Sequence, residues 1–463
     1  MNRRILGLAA LAGLCVTPYA GRLLSPDEGG MLLLASQWSP GSSLYGDYFV
    51  DRPPGLVALF AVSDALTGAL GSAWAVRVLG IVAVVATVLL AGLLGRAARV
   101  AAELPALTAA LLVVTPLFGG TVVNGELLGL PFLVGGCAAV LMAAREERWL
   151  WWAVLAGVLG AAALMIKQSL LDVFVAAAVL LVARRRLPAL GVVLAAGLGA
   201  VAVGVAAAAW RGTSPAELWG AVVVFRGEAA AVIASSADES TSHRLGGLLL
   251  ALLGTGVPVL AVALGRHARR SGLRWAAAAV LGWELFVVLG GGSYWLHYLM
   301  GMVPGLVLLT AAALQVAPRP DRLLVAAYTV VTLSSVVALV IVGVHPIQRR
   351  EVPAVTWLED HARPGDTAVV AFGAPNILQS TGLRSPYPDL WSLPVRVHDP
   401  DLVALTDLLE GPDRPTWLVV SGRSLGTWGI DATVADRALA AHYALATGAG
   451  DWTIYREKEP RAE

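Results

Sequence analysis

Two compact clusters of charge, Asp27-Glu28 and Asp51-Arg52, bracket residues 25–54, SPDEGGMLLLASQWSPGSSLYGDYFVDRPP, directly after the first apolar segment. A carboxylate at the lip of an apolar segment suits general-base work, and Asp27 is the candidate to take the proton of an acceptor hydroxyl. Glu28 stands beside it as a candidate catalytic partner, either supporting Asp27 or binding a metal. Arg52 suits a phosphate, because its guanidinium fork matches phosphate oxygens. Asp51 would orient Arg52 or help hold a cation. Each cluster also has a plainer reading. SPDE is a good helix start, with Ser25 as cap, Pro26 at the first position and acids in the first turn. Asp51-Arg52-Pro53-Pro54 would equally serve as the polar, stiff entry to a helix.

Three later places repeat the theme. Asn124-Gly125-Glu126 opens an apolar run. Glu126 there is a first-turn acid or, with Asp51, an oxygen ligand for a hard cation such as Mg²⁺, Mn²⁺ or Ca²⁺, and Asn124 is a candidate for positioning acceptor or metal. Lys167 ends the apolar run LGAAALMIKQS, where it would snorkel to the interface or meet a phosphate arriving there. His297, in GGGSYWLHYLM, lies in an aromatic belt with Tyr294, Trp295 and Tyr298, and is a candidate phosphate ligand. Ionisable residues at membrane depth are costly unless paired or lining a cavity, which marks all of these as site candidates.

The elements that must position them are apolar helices. The 463-residue chain is 57% hydrophobic and 14% charged, and its long apolar runs are joined by short Arg-rich links, the pattern of a polytopic helical membrane protein. Arg3 and Arg4 hold the N-terminus in the cytoplasm, and 5–19 reads as an uncleaved signal anchor. Spans at 78–94, 105–122, 127–144, 149–166, 170–183, 189–210, 245–264, 275–289, 298–316 and 323–344 then alternate. Residues 55–71 read as a helix lying at the outer interface, and 211–244 as a polar external loop. This gives about eleven spans. Arg96 and Arg99, Arg184 to Arg186, and the basic stretch 266–274 all fall on the cytoplasmic side, while Asp27, Asp51, Arg52, Glu126, Lys167 and His297 fall on the other. The division is a membrane domain, 1–344, with a first external loop at 25–77, and a small extracytoplasmic α/β domain, 345–463. In the latter, VPAVTWLEDHA and VADRALAAHYALA read as helices and TAVVAFG, TWLVVSG and WTIYRE as strands.

Cys15 and Cys137 lie inside apolar runs and imply no disulfide. No phosphate-loop, dinucleotide, HExxH or CxxC motif occurs, and the arginine clusters are too short for a nucleic-acid footprint.

Six pieces in order, PDEGGMLLLASQW, GDYFVDRPPGLVALFAV, GSAWAVRVLG, VVNGELLGLPF, LGAAALMIKQS and WLHYLMGMVPGLVLL, resemble the GT-C class of membrane glycosyltransferases. The resemblance is to the branch holding the lipid A aminoarabinose transferase, the protein O-mannosyltransferases and related bacterial enzymes. It implies a catalytic acid in the first external loop, here Asp27, a polyprenyl-phosphate-linked sugar as donor, and an acceptor approached from the extracytoplasmic side. Two departures stand out: the position before Pro-Pro is often lysine in the family and here is Arg52, and where relatives of the aminoarabinose branch carry an aspartate near the start of the fourth span this chain has Asn124-Gly125-Glu126. The second departure weakens transfer of the aminoarabinose or lipid A substrate to this chain. The resulting expectation is a multi-pass glycosyltransferase of a bacterial plasma membrane, C-terminus outside. It would move a sugar with inversion to a hydroxyl of a lipid, glycan or protein, with Arg52, Lys167 and His297 on the donor phosphate. The rival readings are a transporter or flippase of a lipid-linked substrate and a non-catalytic membrane protein that binds cell-wall polymer.

Overall fold

The computed structural model describes residues 2–235, 239–427 and 429–458. A helical bundle makes up the first three quarters of the chain: α1 Arg3–Leu14, α2 Pro26–Gln37, α3 Pro54–Leu70, α4 Ser72–Ala97, α5 Glu103–Val114, α6 Gly125–Ala143, α7 Trp149–Leu164, α8 Asp172–Ala183 and α9 Leu187–Arg211. It continues through α10 Pro215–Trp219, a π-helical turn at Gly220–Val224, α11 Phe225–Ser235, α12 Glu239–Gly254, α13 Val257–Ala268, α14 Arg274–Gly290, α15 Met302–Val316 and α16 Arg322–Val344.

Among the described residues, six helical stretches are long and apolar enough to cross a membrane, or seven if the pair 241–254 and 257–268, bent by 55°, is one span. The bend falls where Gly256 adopts a left-handed φ of 73° beside Pro258. Four apolar helices are shorter, α3, α5, α7 and α8. The short expected spans at 105–122, 149–166 and 170–183 therefore appear as helices of 12, 16 and 12 residues. The chain between them leaves the α-helix at 115–124 and 165–171, and again in the 3₁₀ turn Leu296–Gly301 ahead of α15. Irregular backbone at membrane depth is tolerated where protein buries it or a cavity receives it. These breaks carry Asn124, Lys167 and His297.

One expectation is corrected outright. Residues 211–244 do not form a polar loop: α10, the π-helical turn and α11 fold most of the segment into helix, because AVVVF and AAAVIA supply an apolar face.

The C-terminal unit contains α17 Val352–His361, α18 Pro375–Thr381, α19 Ser392–His398, α20 Val403–Glu410 and α21 Ala435–His442, with β1 Ala368–Ala371, β2 Trp417–Ser421, β3 Tyr443–Ala449 and β4 Trp452–Glu457. The sheet runs β1-β2-β4-β3, with β1 parallel to β2 and the other pairs antiparallel. The expected helix through 434–446 stops at His442, and YALATGA becomes β3, whose Tyr443 to Ala449 pair along β4. Period-two alternation splits the sheet between two cores. Val370, Val419 and Ile454 join the core that continues into the bundle, whereas Val369, Leu418 and Val420 pack beneath α20 and α21.

The unit sits directly on α2. Asn376 Nδ2 donates to the Leu24 carbonyl at 3.0 Å, Ser385 N donates to Tyr48 Oη at 2.9 Å and Phe49 N donates to the Pro388 carbonyl at 3.1 Å. The approach is close enough that Cβ atoms placed on Gly29 and Gly30 would lie 2.6 Å from Asn376 Cα and 2.3 Å from Trp391 Cζ2. The glycines of PDEGG are thus packing residues between α2 and the C-terminal unit.

Candidate active site

Ser25, Pro26 and Glu28 start α2 as a capping box: Ser25 Oγ accepts from Glu28 N at 3.2 Å, and Glu28 Oε2 accepts from Ser25 N at 2.8 Å. Asp27, between them, is exposed at the tip of the helix. Glu28 is 0% exposed, and its other oxygen accepts from Val123 N and from Arg77 Nη2, both at 2.6 Å. Arg77, 2% exposed on α4, also donates to the Thr121 carbonyl at 3.4 Å. Neighbours in sequence therefore have opposite environments. Asp27 is open to a reactant, whereas both Glu28 oxygens are committed to the frame joining α2, α4 and the 121–123 segment. Glu28, expected beside Asp27 as a supporting or metal-binding carboxylate, has both oxygens engaged by Ser25 N, Val123 N and Arg77.

The second cluster has a partner the sequence reading did not name. Asp51 Oδ1 pairs with Arg52 Nη1 at 2.6 Å, and its Oδ2 pairs with Arg226 from α11. Burial pushes the Asp51 carboxyl upward, but the two guanidiniums overcome this and hold it below the ordinary carboxylate range. The Asp51 carbonyl accepts from Gln168 Nε2 at 3.1 Å, and Tyr45 Oη donates to the Arg52 carbonyl at 3.0 Å, so the loop is tied to the 165–171 break. A lone arginine in the apolar run VVVFRGEAA was the available signal for Arg226.

Next to this, Lys167 Nζ pairs with Glu126 Oε1, and His297 Nε2 lies 3.9 Å from the same oxygen. The Lys167 ammonium also sits 4.3 Å from the Tyr298 ring centroid. Asn124 caps α6, its Oδ1 accepting from Leu127 N at 2.9 Å, which commits that oxygen to the helix start. Gly119, at φ 75°, lies so close to His297 that a Cβ there would be 2.9 Å from the histidine backbone.

Arg52 links the groups. Burial pulls its guanidinium downward, yet the negative field of Asp51, and then of Glu126 and Asp27, raises it. Asp27, Asp51, Arg52, Glu126, Lys167 and His297 thus occupy one neighbourhood, assembled from α2, the 38–53 loop, α6 and two helix breaks. Arg52 and Arg226 pair with Asp51, Lys167 pairs with Glu126, and Asp27 lies within electrostatic reach of Arg52, three cations against three carboxylates. Such a layer is neutral as it stands and accepts an incoming anion by exchanging carboxylate partners for phosphate oxygens.

The carboxylates expected to hold a divalent cation are engaged with protein cations in this arrangement. Both Asp51 oxygens face guanidiniums, Glu126 faces Lys167, and Asn124 spends its oxygen on the cap. Among the described residues no group of three or more His, Cys, Asp or Glu converges as a ligand set.

Comparison with known proteins bears on this geometry. Residues 51–210 match the family described as dolichyl-phosphate-mannose-protein mannosyltransferase, a stretch that contains Asp51, Arg52, Glu126 and Lys167. No curated protein matches the chain. Among solved structures, ArnT from Cupriavidus metallidurans bound to undecaprenyl phosphate is 13% identical, with a TM-score of 0.63 over 99% of this chain and 98% of that one. The oligosaccharyltransferase AglB from Archaeoglobus fulgidus, in complex with an inhibitory peptide and a dolichol-phosphate, is 11% identical, with a TM-score of 0.55 over 99% of this chain and 75% of that one. The arabinofuranosyltransferase AftD from Mycobacteria is 16% identical, with a TM-score of 0.54 over 98% of this chain and 42% of that one. The fold is that of the GT-C class of membrane glycosyltransferases: a multi-pass helical bundle carrying a C-terminal α/β unit.

Proposed function

We propose that the protein transfers a sugar from a polyprenyl-phosphate donor to a hydroxyl group of an acceptor on the outer face of the membrane. The observation that carries this reading is an exposed Asp27 within electrostatic reach of Arg52, in the neighbourhood where Arg226 shares Asp51 with Arg52 and Lys167 holds Glu126. A base and a set of phosphate-neutralising cations are what displacement at a glycosyl phosphate requires. The match to structures holding undecaprenyl phosphate and dolichol-phosphate supports the donor class.

In this reading Asp27 takes the proton of the acceptor hydroxyl while that oxygen attacks the anomeric carbon. The bond from that carbon to the phosphate oxygen breaks on the opposite side, which inverts the configuration. The polyprenyl phosphate leaves with the extra negative charge, and Arg52, Arg226 and Lys167 receive it where such charge is most strongly stabilised. His297, against Glu126, completes the phosphate side. Glu126 and Asp51 hold the cations in place before the donor arrives, and Glu28 with Arg77 holds the helix that presents Asp27. The termini follow from the arginine distribution: N-terminus cytoplasmic, C-terminal unit outside.

The test is transfer of radiolabel from a polyprenyl-phosphate sugar in vesicles containing the purified protein. Asp27→Asn is expected to lose transfer by about 10²- to 10⁴-fold, the usual worth of a general base, while still binding donor. Full activity in that variant removes Asp27 from the mechanism. Substrate accumulation in vesicles without covalent product would replace transfer by transport.

A further inference from the structure

The helices that begin at the candidate site end together at the far side of the bundle. α4, which carries Arg77, stops at Ala97; α6, opened by Glu126, stops at Ala143; α8, just after Lys167, stops at Ala183; and α15, just after His297, stops at Val316. With 19 residues in α6, the two ends lie about 28 Å apart. At that far end is a cavity of about 860 Å³ whose wall includes Arg99, Arg145, Arg184, Arg186 and Arg270.

These arginines come from four separate segments and converge on one concavity whose wall contains no carboxylate. Among the described residues none of the five makes an ion pair. Arg145 is half-buried and anchored, its Nη1 donating to the Ala97 carbonyl at 2.8 Å. Burial, and then the like charges of Arg184 and Arg99, pull its guanidinium below the ordinary value, with Glu146 opposing. Arg184 is turned towards the 271–272 turn, since a Cβ on Gly272 would lie 3.4 Å from its Nη2. Arginines that serve only to set topology need a side of the membrane and nothing more. They do not need to share a cavity against their mutual repulsion.

We propose that this cavity binds the headgroup of an anionic phospholipid, a two-phosphate headgroup of the cardiolipin type matching it best. Five guanidiniums supply forked donors for more than one phosphate. The floor includes Leu314 and Val316 at the end of an apolar helix, which places the cavity at headgroup depth and favours a lipid over a soluble anion.

The test uses the full chain in phosphatidylcholine nanodiscs with cardiolipin titrated in, read by native mass spectrometry of retained lipid and by thermal unfolding. Wild-type protein is expected to retain cardiolipin and to unfold at a higher temperature than in phosphatidylcholine alone. Arg184→Gln with Arg270→Gln is expected to weaken cardiolipin binding roughly thirtyfold. Arg184→Lys with Arg270→Lys keeps the topological charge while removing the forks, and is expected to bind more weakly than wild type with unchanged stability in phosphatidylcholine. Equal retention by wild type and the lysine variant overturns the proposal. So does equal stabilisation by inorganic phosphate without cardiolipin, which would assign the cavity to a soluble anion.

Discussion

Asp27 and Glu28 are adjacent carboxylates with separate fates, and substitutions should separate them. Asp27→Asn alters an exposed group and is expected to leave thermal unfolding in detergent unchanged. Arg77→Ala strands the Glu28 carboxylate, 0% exposed, without its ion-pair partner. Stranding a buried charge in this way costs about 3–5 kcal/mol, which is expected to appear as a large drop in unfolding temperature or a failure to accumulate. Asp51 gives a pH signature. Its carboxyl is held below the usual range by Arg52 and Arg226, so its contribution to stability is present above about pH 4, the unfolded value. That contribution is lost as pH falls through the lower folded value. Arg226→Gln is expected to move the acid loss of loop structure to higher pH, as followed by limited proteolysis. Asp27, Arg52, Lys167 and His297 were legible in the sequence as charges at the ends of apolar runs. The environment that divides Asp27 from Glu28 was not, because it depends on Arg77 and Val123, some fifty and ninety-five residues away.

The elements of the C-terminal unit position the first loop. Gly29 and Gly30 permit contact of α2 with Asn376 and Trp391, and no side chain fits between them. Gly29→Ala is expected to push against Asn376 Cα, lowering both stability and activity. The same substitution at exposed Gly41, where an added Cβ would meet nothing within 4 Å, tests a loop position at left-handed φ without that contact. A second tie is His398 at the end of α19, whose ring lies 4.5 Å from that of Phe49 and 5.3 Å from that of Phe225, with Nδ1 3.1 Å from Asp389. The hydrogen bond to Asp389 raises its titration above the ordinary histidine value, although burial opposes it. Its stabilisation is therefore complete below about pH 6.5 and is lost as pH rises through the folded value. Hydrogen exchange in 392–398 is expected to quicken between mildly acid and mildly alkaline buffer, and His398→Asn should flatten that change. The apolar periodicity made the bundle helices and strands β1, β2 and β4 readable. It misplaced β3, where YALATGA continues a helical pattern but pairs with β4, and it missed the helices between 215 and 235, whose apolar face is broken by charges.

At the scale of the whole molecule, four helices run from the layer holding Asp27, Arg52 and Lys167 to the arginine-lined cavity at the other end. One of them, α8, does so over fewer residues than a bilayer demands, and α5 is as short. Each has 12 residues, or about 18 Å of helix, against a hydrocarbon core of about 30 Å. A bundle with such short members draws the two leaflets towards each other on that flank, the response of lipid to hydrophobic mismatch. Such thinning is expected to bring the outer headgroup plane towards Lys167, where the phosphate of the proposed donor would meet it. Transfer is accordingly expected to be faster in bilayers of shorter acyl chains than in long-chain bilayers of the same headgroup. Under the proposed function, membrane thickness becomes part of the substrate path.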